Sequence, residues 1–220
     1  RSAVGENKNR LAEEKAGNNL LRKIVGSLHL PAGVFEEPKT DGDVTSPDNL
    51  FRFQSEVIRK LAAEEHCSPQ ELRVIELAAL LHDCARPEEF ASGGKVCHAE
   101  LGAVKAAGIL RELGCTDEGM IQTIAHAVER HRYRGRKCPE TLTERRLSDA
   151  DKLDSIGAVG IGRAFHYAGR IGARLHNTEQ EAEGSPAYSR EDTAYREYLV
   201  KLRHVPERMT TESGKRLAEE

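Results

Sequence analysis

Apolar residues along the chain recur three and four positions apart in segment after segment. No strand-length stretch alternates apolar with polar residues, so the periodicity is that of amphipathic helices. The sequence therefore predicts an all-α fold. The helices predicted after residue 45 cover about residues 46–65, 68–83, 98–113, 117–131, 143–168 and 189–204, with a short helix after Thr211.

Two of these helices have explicit start signals. Ser46 is a capping residue that precedes a proline, and Ser68 stands three residues before Glu71, which is the spacing of a capping box. Pro87 predicts the end of the second helix, because proline lacks the backbone N–H that a helix interior needs. Both helices should therefore begin where these caps lie.

The first 45 residues differ from the rest of the chain. One helical stretch around residues 11–28 is followed by a segment rich in turn-forming residues. We expect residues 1–45 to be an appended helix and loop, and residues 46–220 to form one domain with C-terminal helices. A chain of 220 residues is long enough to bury its own core.

Composition excludes several classes of protein. The 33 basic and 36 acidic residues give a net charge of −3, so nucleic acid and anionic membranes are not expected partners. The five cysteines are odd in number and form no C-x-x-C pair, which favours neither a disulfide framework nor a structural zinc site. No membrane span or signal peptide is evident, so we expect a cytoplasmic protein. The oligomeric state is not predicted.

Candidate chemistry begins at "LLHDCARPEEF", where His82 and Asp83 close an apolar helix. Adjacent helical residues lie about 100° apart, so the two side chains can share an ion only near a helix end. Asp151, Asp154 and Ser155 share a face of "LSDADKLDSIG", which is the best source of further ligands. Alternatively, His82 is a core histidine bonded to a carbonyl, Asp83 satisfies a turn, and the later aspartates form a solvated face.

Four segments in order resemble the HD-domain phosphohydrolases, and in particular the small members similar to nucleotide pyrophosphohydrolases. They are "ELAALLHD", "HAELGAVKAAGILRELG", "IAHAVERHRY" and "LSDADKLDSIGAVGIGRAF", and the resemblance covers about residues 48–176. It implies an HD-domain helical bundle that holds a divalent ion with an upstream histidine, the His-Asp pair and a downstream aspartate. His82 and Asp83 match the pair, and Asp151 matches the last ligand.

The upstream ligand departs from the family pattern. The family has a D-x-x-H arrangement there, and the corresponding "DNLF" of this chain offers Phe51, which cannot bind a metal. This difference leaves three possibilities open. The site could hold an ion less tightly with three protein ligands plus water, it could be rebuilt with another histidine, or the pocket could bind nucleotides without cleaving them. The replacements in reach are His98, His126 and His131.

A mixed nitrogen and oxygen ligand set suits manganese or iron(II), with magnesium as a third choice. Asp83 is the candidate catalytic residue, because it could orient the attacking water beside the ion. For substrate phosphate the candidates are His131, Arg132 and Arg134 of "HRYRGRK", and Lys152, which we expect to face phosphate rather than Arg163. The alternative for "HRYRGRK" is a solvated loop.

The function predicted is metal-dependent hydrolysis of a small-molecule nucleotide. The resemblance implies cleavage of nucleoside triphosphates to monophosphate and pyrophosphate, and a 5′-nucleotidase is the related alternative. The alternative from another class is a degenerate HD module that binds a nucleotide or a partner protein without catalysis. A nucleic-acid-binding helical domain is the least supported alternative, because the four positive charges of the "HRYRGRK" loop are too few to bind a phosphate backbone.

Overall fold

The computed structural model of the protein describes residues 47–135 and 137–220, with side chains from residue 56 onward. The described residues form helices and turns and contain no strand, which confirms the all-α prediction. The expected appended segment, residues 1–45, lies outside the described residues. The helices are α1 (Pro47–Glu64), α2 (Pro69–Leu81), α3 (Arg86–Ala91), α4 (His98–Glu112), α5 (Glu118–Arg130), α6 (Leu142–Leu153), α7 (Gly157–Arg170), α8 (Glu179–Gly184), α9 (Ala194–Val200) and α10 (Glu212–Glu219), with 3₁₀ turns at Leu202–His204 and Pro206–Arg208.

Helix α2 lies at the centre of the bundle and packs against α1, α5 and α6, while α4 packs along α5. Its start is the predicted capping box: the Ser68 hydroxyl accepts from the Glu71 N–H, and the Glu71 carboxylate accepts from the Ser68 N–H. Leu77 and Leu81 are fully buried along it. The apolar core therefore fixes the position of the C-terminal end of α2.

The predicted helix over residues 143–168 is divided in two. Helix α6 ends at Leu153, and α7 starts at Gly157, whose φ of +67° favours glycine. Gly160 then packs so closely on the Ser155 carbonyl that a side chain there would clash. This turn depends on a contact between neighbouring segments, which apolar periodicity does not encode.

Other boundaries also differ from the predictions. Pro87 lies in the first turn of α3, so it begins a short helix as well as following the end of α2. Helix α8 was not predicted, although Thr178 and Glu181 form a capping box at its start. The helix predicted over residues 189–204 begins only at Ala194 and continues after Val200 as a 3₁₀ turn.

Two polar clusters attach the C-terminal segment to the bundle. Asp149 of α6, which is fully buried, accepts hydrogen bonds from the backbone and hydroxyl of Thr210 and of Thr211 at 2.7–3.0 Å. Glu65 accepts from Arg146 at 2.8 Å and from the Ser213 hydroxyl. These contacts fix α6, which carries Asp151, against the last helix.

All five cysteines are free. None of the helices in the described residues is long and apolar enough to cross a membrane.

Candidate metal centre and its cleft

Two helices end at the same point and each delivers a histidine there. His82 caps the C-terminal end of α2, and its Nδ1 lies 2.6 Å from the Ala79 carbonyl oxygen. His131 caps the C-terminal end of α5 in the same way, with Nδ1 2.6 Å from the Val128 carbonyl oxygen. Because a carbonyl oxygen only accepts, the proton of each neutral ring lies on Nδ1, and each Nε2 carries a lone pair.

A third histidine reaches the point from the start of α4. His98 is fully buried, and its Nδ1 lies 2.9 Å from Oε2 of Glu89, which is also buried. A carboxylate next to Nδ1 places the proton of the neutral ring on that nitrogen. The Nε2 of His98 therefore also carries a lone pair, and this atom lies 3.3 Å from the Nε2 of His131.

Two carboxylates complete the cluster. Asp83 places Oδ1 3.5 Å from the Nε2 of His98 and 3.7 Å from that of His131, and places Oδ2 3.5 Å from the Nε2 of His82. Asp151 of α6 places Oδ1 3.7 Å from the same nitrogen of His82. Neighbouring ligands of an ion with bonds of about 2.1 Å are about 3.0–3.4 Å apart, so these separations are close to those of a metal site.

The charges of these groups favour a bound cation. Burial raises the pKa of Asp83, but His82, His131 and Arg86 outweigh it and hold the pKa well below the usual range. Burial likewise raises the pKa of Asp151, but the electrostatic effect of the neighbouring His131 and His82 outweighs it and lowers the pKa overall. Both carboxylates are therefore ionised at neutral pH.

Two further groups next to the cluster have shifted pKa values. Burial lowers the pKa of His98, which keeps this imidazole neutral. Glu89 has a pKa of about 2, because contacts with His98 and Arg86 outweigh the effect of its burial. A neutral imidazole beside an ionised carboxylate is the arrangement that orients metal-binding histidines.

A donor for the remaining lone pair of His82 is not found in the part of the chain that the structure describes. Its Nε2 is buried and has no hydrogen-bond partner there. Buried polar atoms in proteins are nearly always paired. A divalent cation beside Asp83 would satisfy this lone pair, so the residues present fit a metal ion. His82, Asp83 and His131 form a group whose ligand atoms lie within 4.8 Å of one another.

A cavity of about 890 Å³ opens over Asp83 and Asp151. Its size is that of pockets that enclose a small-molecule ligand. Its cationic lining residues are Arg86, Arg132, Arg134, Arg163, Arg170 and Lys201.

The structure brings together most of the residues that the sequence singled out as metal ligands. His82, Asp83, His98 and Asp151 lie in the cluster described above. His131, expected at substrate phosphate, lies within the same cluster. The side chain of Phe51 lies outside the described side chains.

Two predicted site residues lie elsewhere. His126 is exposed on α5 and does not join the cluster, because it points away from the buried face of that helix. Lys152 is buried, donates to the Ser148 carbonyl at 3.1 Å, and does not line the cavity. Arg163 lines the cavity instead, which reverses the expected order of these two residues. The reason is the turn between α6 and α7, which reorients the chain between them.

The candidate phosphate loop is held by ion pairs. Arg132 lines the cavity with Nη2 2.9 Å from Glu89 Oε1, and Arg134 lines it while pairing with Glu197 at 2.7 Å. Both residues therefore face the cleft from fixed positions. Sequence reasoning gave no role to Arg86, which bridges Asp83 at 2.9 Å and Glu89 at 2.8 Å. The sequence feature that could have indicated this role is the position of Arg86 three residues after Asp83.

Comparison with known proteins agrees with this fold. Residues 55–156 match the model of the HD domain family. The Bacillus subtilis (strain 168) protein YpgQ is 36% identical over 101 residues, which are 44% of this chain and 43% of YpgQ. The chain thus matches less than half the length of that relative.

Solved structures extend the likeness over most of the chain. A crystal structure of Bacillus subtilis YpgQ superposes with a TM-score of 0.63 at 21% identity, covering 92% of this chain and 88% of the other. YpgQ in complex with ADP gives 0.60 at 22%, covering 91% and 88%. An HD-superfamily hydrolase from Bacillus thuringiensis gives 0.55 at 24%, covering 91% and 89%. Residues 55–156 of this chain therefore match the HD domain family, and the chain shares the all-α fold of these solved structures.

Proposed function

We propose that this chain is a divalent-metal-dependent phosphohydrolase that acts on nucleotides in the cleft over Asp83 and Asp151. The observation that carries the proposal is the group of His82, Asp83 and His131, whose ligand atoms lie within 4.8 Å of one another. Asp151 Oδ1 lies 3.7 Å from His82 Nε2, and His98 Nε2 lies 3.5 Å from Asp83 Oδ1. Such a set of nitrogen and oxygen donors suits manganese or iron(II), with magnesium as a third choice.

The proposed ligands of the ion are His82, Asp83, His98, His131 and Asp151. His131 takes the part that the resemblance gives to an upstream histidine, where this chain has Phe51. Its Nε2 lies 3.7 Å from Asp83 Oδ1, and the helix end that carries it is fixed by the core. When bound, such an ion supplies Lewis acidity toward a phosphoryl oxygen and makes water more acidic.

Arginines of the cleft would bind the substrate phosphates. Arg132 is held by Glu89, and Arg163 donates through Nη1 to the carbonyl and carboxylate of Asp154. A guanidinium carries five N–H donors, and these contacts use only part of them. The remaining donors can bind phosphate oxygens in pairs from a fixed position.

Asp83 has the proposed catalytic role. Its carboxylate is ionised, and it lies at the boundary between the histidine cluster and the cavity. It would accept a hydrogen bond from the attacking water and orient that water toward phosphorus. Arg86, 2.9 Å from Asp83 Oδ1, keeps the carboxylate in this orientation.

Nucleotides are the proposed substrates because the related YpgQ, 22% identical to this chain, has been crystallised in complex with ADP. In the reaction that the resemblance implies, water adds to the α-phosphorus of a nucleoside triphosphate and the bond to the bridging oxygen breaks. The products are a nucleoside monophosphate and pyrophosphate. Hydrolysis of a nucleoside monophosphate to nucleoside and phosphate is the related alternative at the same site.

A hydrolysis screen tests the proposal. Purified protein is incubated with nucleoside tri-, di- and monophosphates and Mn²⁺, and the products are resolved by anion exchange. We expect cleavage that EDTA and His82→Ala both abolish, with release of pyrophosphate or phosphate identifying the reaction. Cleavage that persists in His82→Ala would place the activity elsewhere or in a contaminant.

Phe51 favours a second candidate function, a degenerate HD module that binds a nucleotide or a partner protein without catalysis. This alternative predicts no cleavage of any nucleotide, with nucleotide binding retained in His82→Ala. It also predicts that Phe51→His creates or raises metal binding.

A further inference from the structure

One side of the cleft is not used by the proposed hydrolysis. Its lining residues are aromatic or small: Phe90, Gly93, Gly94, Tyr167, Ala187 and Tyr188. Neither metal binding nor phosphate binding calls for aromatic rings. This surface, which we call the aromatic wall and define by Phe90, Tyr167 and Tyr188, is therefore available to another part of a ligand.

The aromatic wall is held in place by an unusual backbone arrangement. Gly94 has a φ of +81° and lies against the ring of Tyr188, so that a Cβ there would be 2.6 Å from Cε2 of the ring. Tyr188 itself has a φ of +62°, a conformation that is costly for a residue with a side chain. Its N–H donates to Oδ2 of the buried Asp192 at 2.7 Å. Such strain outside glycine is typical of functional positions.

Two of the three rings contact each other, and all three residues line the cavity. Tyr167 of α7 meets Tyr188 edge to face, with ring centroids 6.4 Å apart at an angle of 73°. Phe90 and Tyr167 are 46% and 40% exposed although both line the cavity. The guanidinium of Arg170 lies over the Phe90 ring at 5.2 Å and covers only one of its faces. These partly exposed aromatic residues thus line the same cavity as Asp83 and Asp151 of the metal cluster.

We propose that the aromatic wall binds the nucleobase of the substrate, with Tyr167 as the main stacking surface, and so selects nucleotides against inorganic polyphosphates. A nucleobase matches this surface because it has a flat π-face for stacking and polar edges for the Tyr hydroxyls. The cavity of about 890 Å³ exceeds the needs of an inorganic phosphate, which leaves room for base and sugar. This inference rests on the proposed function, because it assumes that the phosphates lie among the arginines of the cleft, beside the metal cluster.

The test compares two probes that share the same diphosphate. ADP and inorganic pyrophosphate are titrated into the 220-residue chain in the presence of EDTA, and binding is measured by isothermal titration calorimetry. We expect the wild-type protein to bind ADP more tightly than pyrophosphate. Tyr167→Leu should weaken ADP binding about tenfold, because stacking on one aromatic ring is lost, and should change pyrophosphate binding much less.

Two variants serve as controls. Tyr167→Phe keeps the ring and should bind ADP within about twofold of the wild type, which separates stacking from misfolding. Tyr195→Leu makes the same change at a tyrosine that is 39% exposed on α9 and does not line the cavity, and it should leave ADP binding unchanged. The proposal is overturned if the wild type binds ADP no more tightly than pyrophosphate, or if Tyr167→Leu and Tyr195→Leu bind ADP equally.

This binding test is independent of cleavage. Selective binding of ADP through Tyr167 combined with no hydrolysis of any nucleotide would reject the proposed phosphohydrolase and keep the aromatic wall. Metal-dependent hydrolysis without a preference for ADP over pyrophosphate in binding would support the phosphohydrolase and reject the role of the aromatic wall.

Discussion

Replacing Glu89 by glutamine removes a negative charge from a point where three other side chains meet. The buried carboxylate lies 2.8 Å from Arg86 Nη1, 2.9 Å from Arg132 Nη2 and 2.9 Å from His98 Nδ1. A hydrogen bond to a charged group contributes about 1.5–3 kcal/mol. Glutamine can still accept through one oxygen, and the arginine side chains are 47% and 26% exposed, so not all of the three contacts are lost. We expect Glu89→Gln to lower the free energy of unfolding by about 2–3 kcal/mol in urea titrations.

The same substitution should weaken metal binding. Without the carboxylate, His98 loses the acceptor that keeps its proton on Nδ1 and its Nε2 directed at the cluster. Loss of such an orienting partner typically weakens metal affinity about 10–100-fold, which calorimetric titration with Mn²⁺ measures directly.

Glu88→Gln is the matched control for this prediction. Glu88 is the adjacent residue of the same helix, has a 42% exposed side chain, and pairs with Lys105 at 2.5 Å. The control should change stability less than Glu89→Gln does, and it should leave Mn²⁺ affinity unchanged. Equal Mn²⁺ affinity in the two variants would refute the reasoning that Glu89 orients a histidine of the metal site.

Three further predictions concern the other polar groups of the bundle. His131→Ala should weaken Mn²⁺ binding at least about tenfold in calorimetry, whereas His126→Ala, the same change at an exposed position of α5, should not, and equal affinities would exclude His131 as a ligand. Asp149→Ala should lower the free energy of unfolding by about 3–5 kcal/mol, because four donors, two of them on the buried Thr211, lose their acceptor, and a loss below about 1 kcal/mol in urea titrations would contradict this. Burial raises the pKa of Glu65, but hydrogen bonds from Ser213 and Arg146 lower it overall from 4.5, so its stabilisation is present above about pH 4.5 and is lost as the pH falls further. The stability difference between wild type and Glu65→Gln should therefore shrink from pH 7 to about pH 3.5, and a constant difference would show that this carboxylate is not stabilised by its charge.

The parts of the fold that were predictable from sequence are those with local causes. The capping box at Ser68 and Glu71 involves residues three apart, so the start of α2 can be read without any tertiary contact. The break between α6 and α7 depends instead on the fit of Gly160 against the Ser155 carbonyl. The helical spacing of apolar residues over 143–168 does not indicate this break.

The candidate site shows the same division. The His-Asp pair and Asp151 followed from motifs, but no spacing could show that His131 rather than His126 reaches the cluster. Both lie near the end of one helix, and only the packing of α5 decides which is buried. The choice between Lys152 and Arg163 likewise depended on the unpredicted turn between α6 and α7.

The most direct test of the central claim is a titration of metal-free protein with Mn²⁺ in which bound metal and nucleotide cleavage are measured in the same samples. Free Mn²⁺ is followed by electron paramagnetic resonance, and the products of a nucleoside triphosphate are followed by anion exchange. We expect the cleavage rate to rise in proportion to bound Mn²⁺, to reach its maximum when the site is full, and to be lost together with Mn²⁺ binding in His82→Ala. Mn²⁺ that binds at the cluster without cleavage of any nucleotide, or cleavage that is independent of bound Mn²⁺, would contradict the central claim.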